Sequence, residues 1–293
     1  MSLWLDFLGA EVRYVETPTF GRFRIAESGK GNQETLFLMH GIGGHIEAYA
    51  KNLMPLSETF HTIAFDFIGH GLSEKRTDID YLPSTYVEML AELMDAMDIQ
   101  KAHISGESLG GWVAGMFATR YPERTLRLIL NTAGGIPVVT EKGRQDIRDL
   151  DDLNRKNFGK APTVDSVRER MQWLIHESNW GLLDDELIGS RLAIYTRPEF
   201  QQSAPLVFSL LRRTEELIEL GEMLPLEDLA VDTLFFWTKH NPIHDLEAAE
   251  AACARVDGGK LYVMQADAAH WPQYECPEEF NQVVTRFLST GDI

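Results

Sequence analysis

The sequence predicts an α/β fold in which a mainly parallel sheet is interrupted by a helical insertion after the sixth strand. Three observations lead to this prediction. Short β-rich runs alternate with helical patterns in the first half of the chain, a charged helical stretch follows, and β-rich runs return near the end. A chain of 293 residues is long enough to bury a sizeable core in such a fold.

Four β-rich runs bounded by turn residues come first. They span residues 35–40, 61–67, 101–106 and 125–131. Between them, residues 86–97 and 111–121 have the apolar spacing of helices. Strands that alternate with helices in this way form βαβ units, and such units build parallel sheets.

The pattern changes after the fourth run. Residues from about 135 to 224 are charged, helical and poor in β-rich runs, and strand patterns resume at 233–238 and 260–265. We therefore divide the chain into a first part of the α/β core (1–134), a helical cap (135–225) and a second part of the core (226–293).

The charge of the chain limits its partners. The formal net charge is −18, with 27 Lys plus Arg against 45 Asp plus Glu. A chain this acidic is not expected to bind nucleic acid or an anionic membrane surface. The expected partner is a small-molecule substrate, and an anionic substrate would need a local cation to hold it.

Targeting and cofactor signals are missing from the sequence. The first residues are apolar, but they lack a basic region and are interrupted by Asp6. Cys253 and Cys276 are not spaced as metal ligands, and no stretch is apolar enough for a membrane span. No glycine-rich nucleotide motif and no zinc motif occurs. We expect a cytoplasmic protein with no metal and no cofactor, and a homodimer is left open.

A serine flanked by glycines is the main chemical signal. G-E-S-L-G at 106–110 fits the pattern G-x-S-x-G, with a predicted strand before it and a predicted helix after it. In that setting the glycines permit a sharp turn that exposes the hydroxyl of Ser108. The amide of Leu109, at the head of the helix, would point at a developing oxyanion. The alternative is a glycine-rich turn with an incidental serine.

Two further stretches favour a nucleophile at Ser108. The sequence H-G-I-G-G at 40–44 follows a predicted strand, and the Ile42 amide there is a candidate second oxyanion donor, whereas His40 is expected to lock the loop. His270 follows the last predicted strand, where the chain order serine, acid, histidine puts the general base. The alternative for His270 is a surface-loop histidine.

These stretches together resemble the α/β-hydrolase superfamily. The resemblance is carried by H-G-x-G-G, D-F-I-G-H-G-L-S at 66–73, G-E-S-L-G-G-W and A-H-W-P-Q-Y-E. The last motif and the segment S-R-L-A-I-Y-T-R-P-E-F look more specifically like the meta-cleavage-product hydrolases, which cleave carbon–carbon bonds of vinylogous 1,5-diketones in aromatic degradation. The resemblance covers nearly the whole chain and implies an α/β-hydrolase core with a helical cap.

The resemblance implies roles for single residues. Ser108 matches the nucleophile of this family and His270 its base. The amide of Leu109 and the loop of Ile42 and Gly43 match the oxyanion hole, with Gly43 also beside the substrate.

The resemblance also implies a carboxylate site. Arg191 matches an arginine that binds the dienoate carboxylate, and Trp271 matches a tryptophan that helps to hold the same end. A bidentate guanidinium is the local cation that an acidic protein needs for such a ligand. The alternative for Arg191 is an arginine on a helix surface.

The sequence departs from the family at the catalytic acid. The position of the family's aspartate is Asn241, whose carbonyl accepts a hydrogen bond from His270 but carries no charge. Asp245, four residues on, is an alternative, while the end of the sixth strand offers only Asn131. A second departure is Glu107, where many relatives have a neutral residue.

The sequence therefore predicts a serine-dependent hydrolase, most like a carbon–carbon bond hydrolase of 2-hydroxy-6-oxo-dienoates. Two alternatives stay open. One is a carboxylesterase or lactonase that uses the same serine and histidine. The other is a ligand-binding protein of low turnover on the same fold, which the asparagine at 241 favours.

Overall fold

The computed structural model describes residues 2–157 and 159–293. Its centre is an eight-stranded sheet in the order β1-β2-β4-β3-β5-β6-β7-β8. The strands are β1 (Glu11–Thr17), β2 (Gly21–Ser28), β3 (Thr35–Met39), β4 (His61–Phe65), β5 (Ala102–Glu107), β6 (Thr125–Asn131), β7 (Thr233–Trp237) and β8 (Lys260–Val263). Strand β2 runs antiparallel to both of its neighbours, β1 and β4, and all other pairs are parallel.

Helices cover and connect the strands. They are α1 (Leu3–Asp6), α2 (Ala50–Leu56), α3 (Pro83–Ala96), α4 (Leu109–Arg120), α5 (Glu141–Asn157), α6 (Val164–Leu174), α7 (Asp185–Tyr195), α8 (Pro198–Ser209), α9 (Thr214–Glu219), α10 (Leu246–Cys253), α11 (Pro272–Glu275) and α12 (Pro277–Thr290). Five short 3₁₀ turns join them in the described residues, at Ile46–Tyr49, Pro122–Arg124, Glu177–Leu182, Leu210–Arg212 and Leu226–Asp228.

The predicted fold class is confirmed. The six predicted strands correspond to β3 through β8, with ends that differ by at most two residues. Helices α5 to α9 fill the chain between β6 and β7, so the helical cap follows the sixth strand. The exact cap boundaries at residues 135 and 225 stay predictions.

The first two strands are absent from the predictions. Residues 11–17 and 21–28 form the antiparallel hairpin of β1 and β2. Strand β2 carries Arg24 in a buried position, where its guanidinium pairs with Asp66 at 2.6 Å and with Glu47 at 2.8 Å. A charged residue at a buried position interrupts the apolar alternation by which a strand is recognised. Its burial cannot be foreseen locally, because the acidic partners lie elsewhere in the chain.

The sheet separates two hydrophobic cores. Successive side chains of a strand point to opposite faces. In β3, Phe37 and Met39 are buried in the core on one face, whereas Leu36 and Leu38 are buried in the core on the other. Both faces of the central strands are thus covered, which is the usual state of parallel strands.

The parallel strands end at one edge of the sheet, and the candidate residues follow those ends. Ile42 comes after β3, Ser108 after β5, Asn241 after β7 and His270 after β8. Residues from four distant parts of the chain meet there because the carboxyl ends of parallel strands point the same way.

Candidate active site

Ser108 occupies a strained turn between β5 and α4. Its backbone has φ 56° and ψ −115°, a region that residues other than glycine rarely adopt. A Cβ atom on Gly106 would lie 2.1 Å from the carbonyl carbon of Gly110, and one on Gly110 would lie 2.3 Å from the carbonyl oxygen of Met39. Only glycine fits at 106 and 110, because a side chain at either position would clash with main-chain atoms where the strand passes into the helix.

Both predicted oxyanion donors lie beside Ser108. Leu109 and Ile42 line the same cavity as the serine. Leu109 is the first residue of α4, so its amide has no partner within the helix, and the helix dipole adds positive potential there. Gly43, with φ +70°, follows Ile42 and turns the loop under the cap.

A buried histidine shapes the loop that carries Ile42. The Nδ1 atom of His40 donates to the carbonyl oxygen of Gly41 at 2.7 Å, and Nε2 accepts from the Phe67 amide at 3.2 Å. Burial lowers the pKa of His40 to about 4, so the ring is neutral at pH 7. Because both nitrogens are engaged, His40 holds the loop and is not available as a base.

His270 is buried and faces Asn241. The Nδ1 atom of His270 lies 2.6 Å from Oδ1 of Asn241. The amide nitrogen of Asn241 donates to the carbonyl oxygen of His244, which fixes Oδ1 as the acceptor and places a proton on Nδ1 of the histidine. Burial lowers the pKa of His270 to about 3, and His244 and Arg170 act in the same direction. The ring is therefore neutral, with the lone pair of a base on Nε2.

The two alternative partners of His270 are engaged elsewhere. Asp245 caps α10 by accepting from the Ala248 amide at 3.1 Å, and it also accepts from the hydroxyl of Thr140. Asn131 donates to the side-chain oxygen of Gln273 at 2.8 Å. The structure thus brings Asn241, and neither alternative, to the histidine.

A carboxyl group lies on the other side of the histidine ring. Oε1 of Glu107 is 3.3 Å from Nε2 of His270, and Oε2 accepts from the Gly41 amide at 2.7 Å. Ser108 Oγ makes no hydrogen bond to His270 in residues 2–157 and 159–293. Burial raises the pKa of Glu107 to about 8, against the opposing effects of the Gly41 amide and two arginines.

Arg191 reaches the same place from α7. It is 1 % exposed, and Nη1 donates to the carbonyl oxygen of Gly43 at 3.1 Å and to the hydroxyl of Tyr195 at 2.9 Å. Its Nε and Nη2 atoms have no hydrogen-bond partner among the described residues. The guanidinium carbon lies 5.0 Å from the ring centre of Trp271, so the predicted pair is in contact. Two unfilled donors on a buried cation form a fork that suits a carboxylate.

Arg170 on α6 is a second buried arginine at the site and is absent from the sequence-based predictions. It lines the cavity that holds Ser108, His270 and Arg191. Its guanidinium carbon lies 5.2 Å from the ring centre of Phe208. The stretch V-D-S-V-R-E-R has the pattern of an ordinary charged helix, and no signal in it distinguishes this arginine from its half-buried neighbour Arg168.

Two cavities adjoin the serine. The larger, of about 110 Å³, lies against Ser108 and α4. Its lining is mainly apolar and includes Leu109, Trp112, Ile136, Leu150 and Leu217. The smaller, of about 20 Å³, lies between Ser108, His270 and Arg191. The serine therefore stands between an apolar space and a cationic one.

An outer cavity lies within the cap. It measures about 370 Å³ and is lined by side chains of α6 and α8, among them Phe200 and Phe208. Arg170 lines both this space and the small cavity at the serine, so the two adjoin at that side chain.

Neither a metal centre nor a membrane span is found in the described parts of the chain. There, no group of three or more histidine, cysteine, aspartate or glutamate side chains is placed to hold a metal ion. No helix in those same parts is both long and apolar enough to cross a membrane.

A family model for the α/β-hydrolase fold matches residues 34–277, which is most of the chain. The chain belongs to the α/β-hydrolase fold family. The hydrolase is 27 % identical over 267 residues to a 2-hydroxy-6-oxo-2,4-heptadienoate hydrolase of Pseudomonas putida strain F1, with 90 % of this chain and 91 % of the relative covered.

Solved structures of similar fold include a meta-cleavage product hydrolase from Pseudomonas fluorescens IP01. The TM-score between that structure and the present one is 0.78, with 24 % identity and coverage of 97 % of this chain and 100 % of the other. A putative lipase from Acinetobacter baumannii AYE has a TM-score of 0.83 at 21 % identity, covering 99 % and 96 % of the two chains. At these identities the two structures show the fold alone.

Proposed function

We propose that this hydrolase cleaves a carbon–carbon bond in a 2-hydroxy-6-oxo-dienoate, with Ser108 as nucleophile and His270 as base. One observation carries the choice of substrate: Arg191 is a buried cation with two unfilled donors, in the same cavity as the serine and the histidine. A guanidinium buried without an anionic partner is costly, and a substrate carboxylate would supply that partner. The similarity to a named heptadienoate hydrolase points to the same class.

In this proposal each part of such a substrate has a place in the site. The carboxylate would lie on Arg191 and Trp271, and the keto carbonyl next to Ser108. The group beyond the carbonyl would enter the apolar cavity of about 110 Å³, which sets an upper size for it.

The proposed reaction has three steps. Ser108 and His270 assist conversion of the dienol to the keto form, which makes the carbon–carbon bond breakable. Ser108 then attacks the keto carbonyl while His270 takes its proton, and the amides of Ile42 and Leu109 hold the oxyanion. The adduct then collapses: the carbon–carbon bond breaks, the carboxylate-bearing fragment leaves with the proton held by His270, and water hydrolyses the acyl group on Ser108 to release the acid.

An ester or lactone is the second candidate substrate class. The apolar cavity beside Ser108 suits an acyl chain, and the oxyanion donors serve ester hydrolysis equally well. The buried Arg191, with its two unfilled donors and its contact with Trp271, favours a dienoate over a neutral ester.

We expect the wild-type protein to bleach a yellow dienoate faster than it cleaves a p-nitrophenyl ester. Ser108→Ala should reduce both rates by about 10³-fold or more, because the nucleophile is lost. The measurement is absorbance decay of a panel of dienoates beside release of p-nitrophenol, with Ser209→Ala, a half-buried serine at the end of α8, as the matched control.

The outcomes separate the candidates. Ester cleavage without bleaching would assign the protein to the esterases and remove the proposed role of Arg191. Turnover of neither substrate, with Ser108 unlabelled by a fluorophosphonate, would favour a ligand-binding protein.

A further inference from the structure

Glu107 is a buried carboxyl group that the proposed reaction does not use. It is 1 % exposed and lies directly before Ser108 at the end of β5. A Cβ atom on Gly41 would lie 2.7 Å from both of its oxygens and 2.9 Å from Cβ of Ser108. The loop after β3 thus leaves a space, by having glycine at 41, that the carboxyl group fills.

The position of the carboxyl relative to the histidine is the informative feature. In a serine triad, the negative charge lies at Nδ1 of the histidine and stabilises the imidazolium that forms. Here the neutral Asn241 occupies Nδ1 at 2.6 Å, whereas the carboxyl of Glu107 lies at Nε2, 3.3 Å away. The amide of Asn241 and the carboxyl of Glu107 thus lie on opposite sides of the ring.

The environment keeps this pair uncharged at neutral pH. Burial raises the pKa of Glu107 to about 8 and lowers that of His270 to about 3. The charged and titratable groups that face the pair are Arg170 from α6, Arg191 from α7, His244 from the loop after β7, and Tyr49 from the 3₁₀ turn after β3. One proton therefore sits on the carboxyl, whose Oε1 lies 3.3 Å from Nε2.

We infer that Glu107 supplies, from the Nε2 side of His270, the negative charge that the missing aspartate would supply from the Nδ1 side. This inference rests on the serine–histidine chemistry of the proposed function. With Glu107 ionised, Nε2 is free to take the proton of Ser108 as Oγ forms its bond to the carbonyl carbon. The proton then lies between Nε2 and the carboxylate, and it passes from Nε2 to the leaving group as that group departs. Glu107 is thus ionised again at the end of the cycle.

The protonated form of Glu107 would block the reaction. With Oε1 3.3 Å from Nε2, its O–H would be placed to donate to that nitrogen, and a nitrogen whose lone pair is engaged cannot accept from Ser108. The reactive form of the enzyme therefore accumulates as pH rises through about 8.

The test is the rate at which a fluorophosphonate labels Ser108, measured between pH 5 and pH 10 on the full-length protein. For the wild type we expect a rate that rises with pH through about 8. Glu107→Gln should label about 10²- to 10⁴-fold more slowly and lack this rise, because the charge is gone. Glu222→Gln is the control, since its carboxyl is also buried but bonds to Ser84 and does not touch His270.

A double variant tests whether charge is the reason. Asn241→Asp combined with Glu107→Gln returns a carboxylate to Nδ1, so we expect at least about tenfold recovery over Glu107→Gln alone. Recovery is expected to be partial, because the second carboxylate oxygen would replace the amide nitrogen that donates to His244. The rise in rate should move to a lower pH, as the blocking carboxyl is absent.

Thermal stability gives a readout that needs no reaction. The folded pKa of Glu107 is raised above its unfolded value of 4.5, so its stabilising contribution is present in full below that pH and is lost as pH rises through about 8. The melting temperature of the wild type should fall relative to that of Glu107→Gln over this window.

The outcomes are separable from those of the proposed function. Labelling of Glu107→Gln at the wild-type rate and with the same pH profile would overturn the inference, as would wild-type Ser108 that resists labelling at every pH. A melting-temperature difference that is flat from pH 4.5 to 8 would also overturn it. Absence of dienoate bleaching, with the expected labelling results, would defeat the carbon–carbon reaction and leave the role of Glu107 supported.

Discussion

The guanidinium of Arg191 would hold the carboxylate of the proposed substrate. Its Nη1 atom is fixed to the cap and to the loop after β3, through Tyr195 and Gly43, while Nε and Nη2 stay free for a ligand in the described structure. The ring of Trp271 lies over the same cation and limits its movement. The fork is therefore held in place before a substrate arrives, which reduces the entropy lost on binding.

Replacing this side chain should separate the two substrate classes. Arg191→Gln is expected to lower kcat/KM for a dienoate by about 10- to 100-fold, since a charge-assisted hydrogen bond contributes about 1.5–3 kcal/mol. Hydrolysis of a neutral p-nitrophenyl ester should change little. Steady-state kinetics on both substrates gives the comparison, and Arg197→Gln, an exposed arginine just beyond α7, is the matched control. An equal loss for both substrates would mean that Arg191 serves the loop and not the carboxylate.

Single residues differ in how far the sequence reveals them. Ser108 and His270 are predictable because their signals are local: glycines at fixed spacing, and a position after the last strand. The contact of Glu107 with His270 joins residues 163 positions apart, and no local pattern encodes it. Arg170 is hidden for a similar reason, since an arginine on a helix reads the same whether the face is exposed or buried.

At the scale of elements, the turn between β5 and α4 is the part with least tolerance. The contacts that a Cβ atom would make at Gly106 are with backbone atoms of Gly110 and Gly111, which cannot rotate away. Gly189 is the contrasting case, because it lies within α7, is exposed, and would place a Cβ atom in open space.

Alanine at these two positions should have opposite effects. Gly106→Ala is expected to destabilise the fold by about 3 kcal/mol or more, because the clash is with main chain. Gly189→Ala is expected to stabilise it by about 0.5–1 kcal/mol through helix propensity, with unchanged activity. Urea denaturation measures both. A Gly106→Ala protein as stable as the wild type would show that the turn has room to relax.

The strands were predictable from the sequence where their apolar pattern is regular. Strands β3 to β7 show it because most of their positions are buried on both faces, and β8, a half-buried edge strand, keeps an apolar run. Strand β1 exposes most of its residues, and β2 buries Arg24 by pairing it with Asp66. In these two strands the tertiary partners, and not the local pattern, decide the structure.

For the molecule as a whole, charge opposes the function proposed for it. A net charge of −18 repels an anionic dienoate at long range, whereas Arg170 and Arg191 attract it only at the site. Salt screens the repulsion between exposed charges more than it weakens contacts in a buried pocket.

Ionic strength should therefore act differently on the two substrates. Raising the salt from about 0.02 M to about 0.2 M is expected to increase kcat/KM for the dienoate a few-fold, because the Debye length falls to below about 10 Å. The rate with a neutral ester should stay constant, which controls for effects on the fold. A dienoate rate that falls with salt would mean that the local arginines, and not the net charge, govern association.

The bond from Tyr195 to the carbonyl oxygen of Gly43 has a mechanical consequence. At 2.7 Å it ties α7 to the loop that presents the Ile42 amide, and Arg191 adds a second tie to the same oxygen. The aromatic ring of Phe208 on α8 leaves no room for a side chain at Gly43, so the loop and the two helices interlock. Lifting α7 away from the sheet would break both ties at once. Any displacement of α7 from the sheet would therefore also release the loop that presents the Ile42 amide.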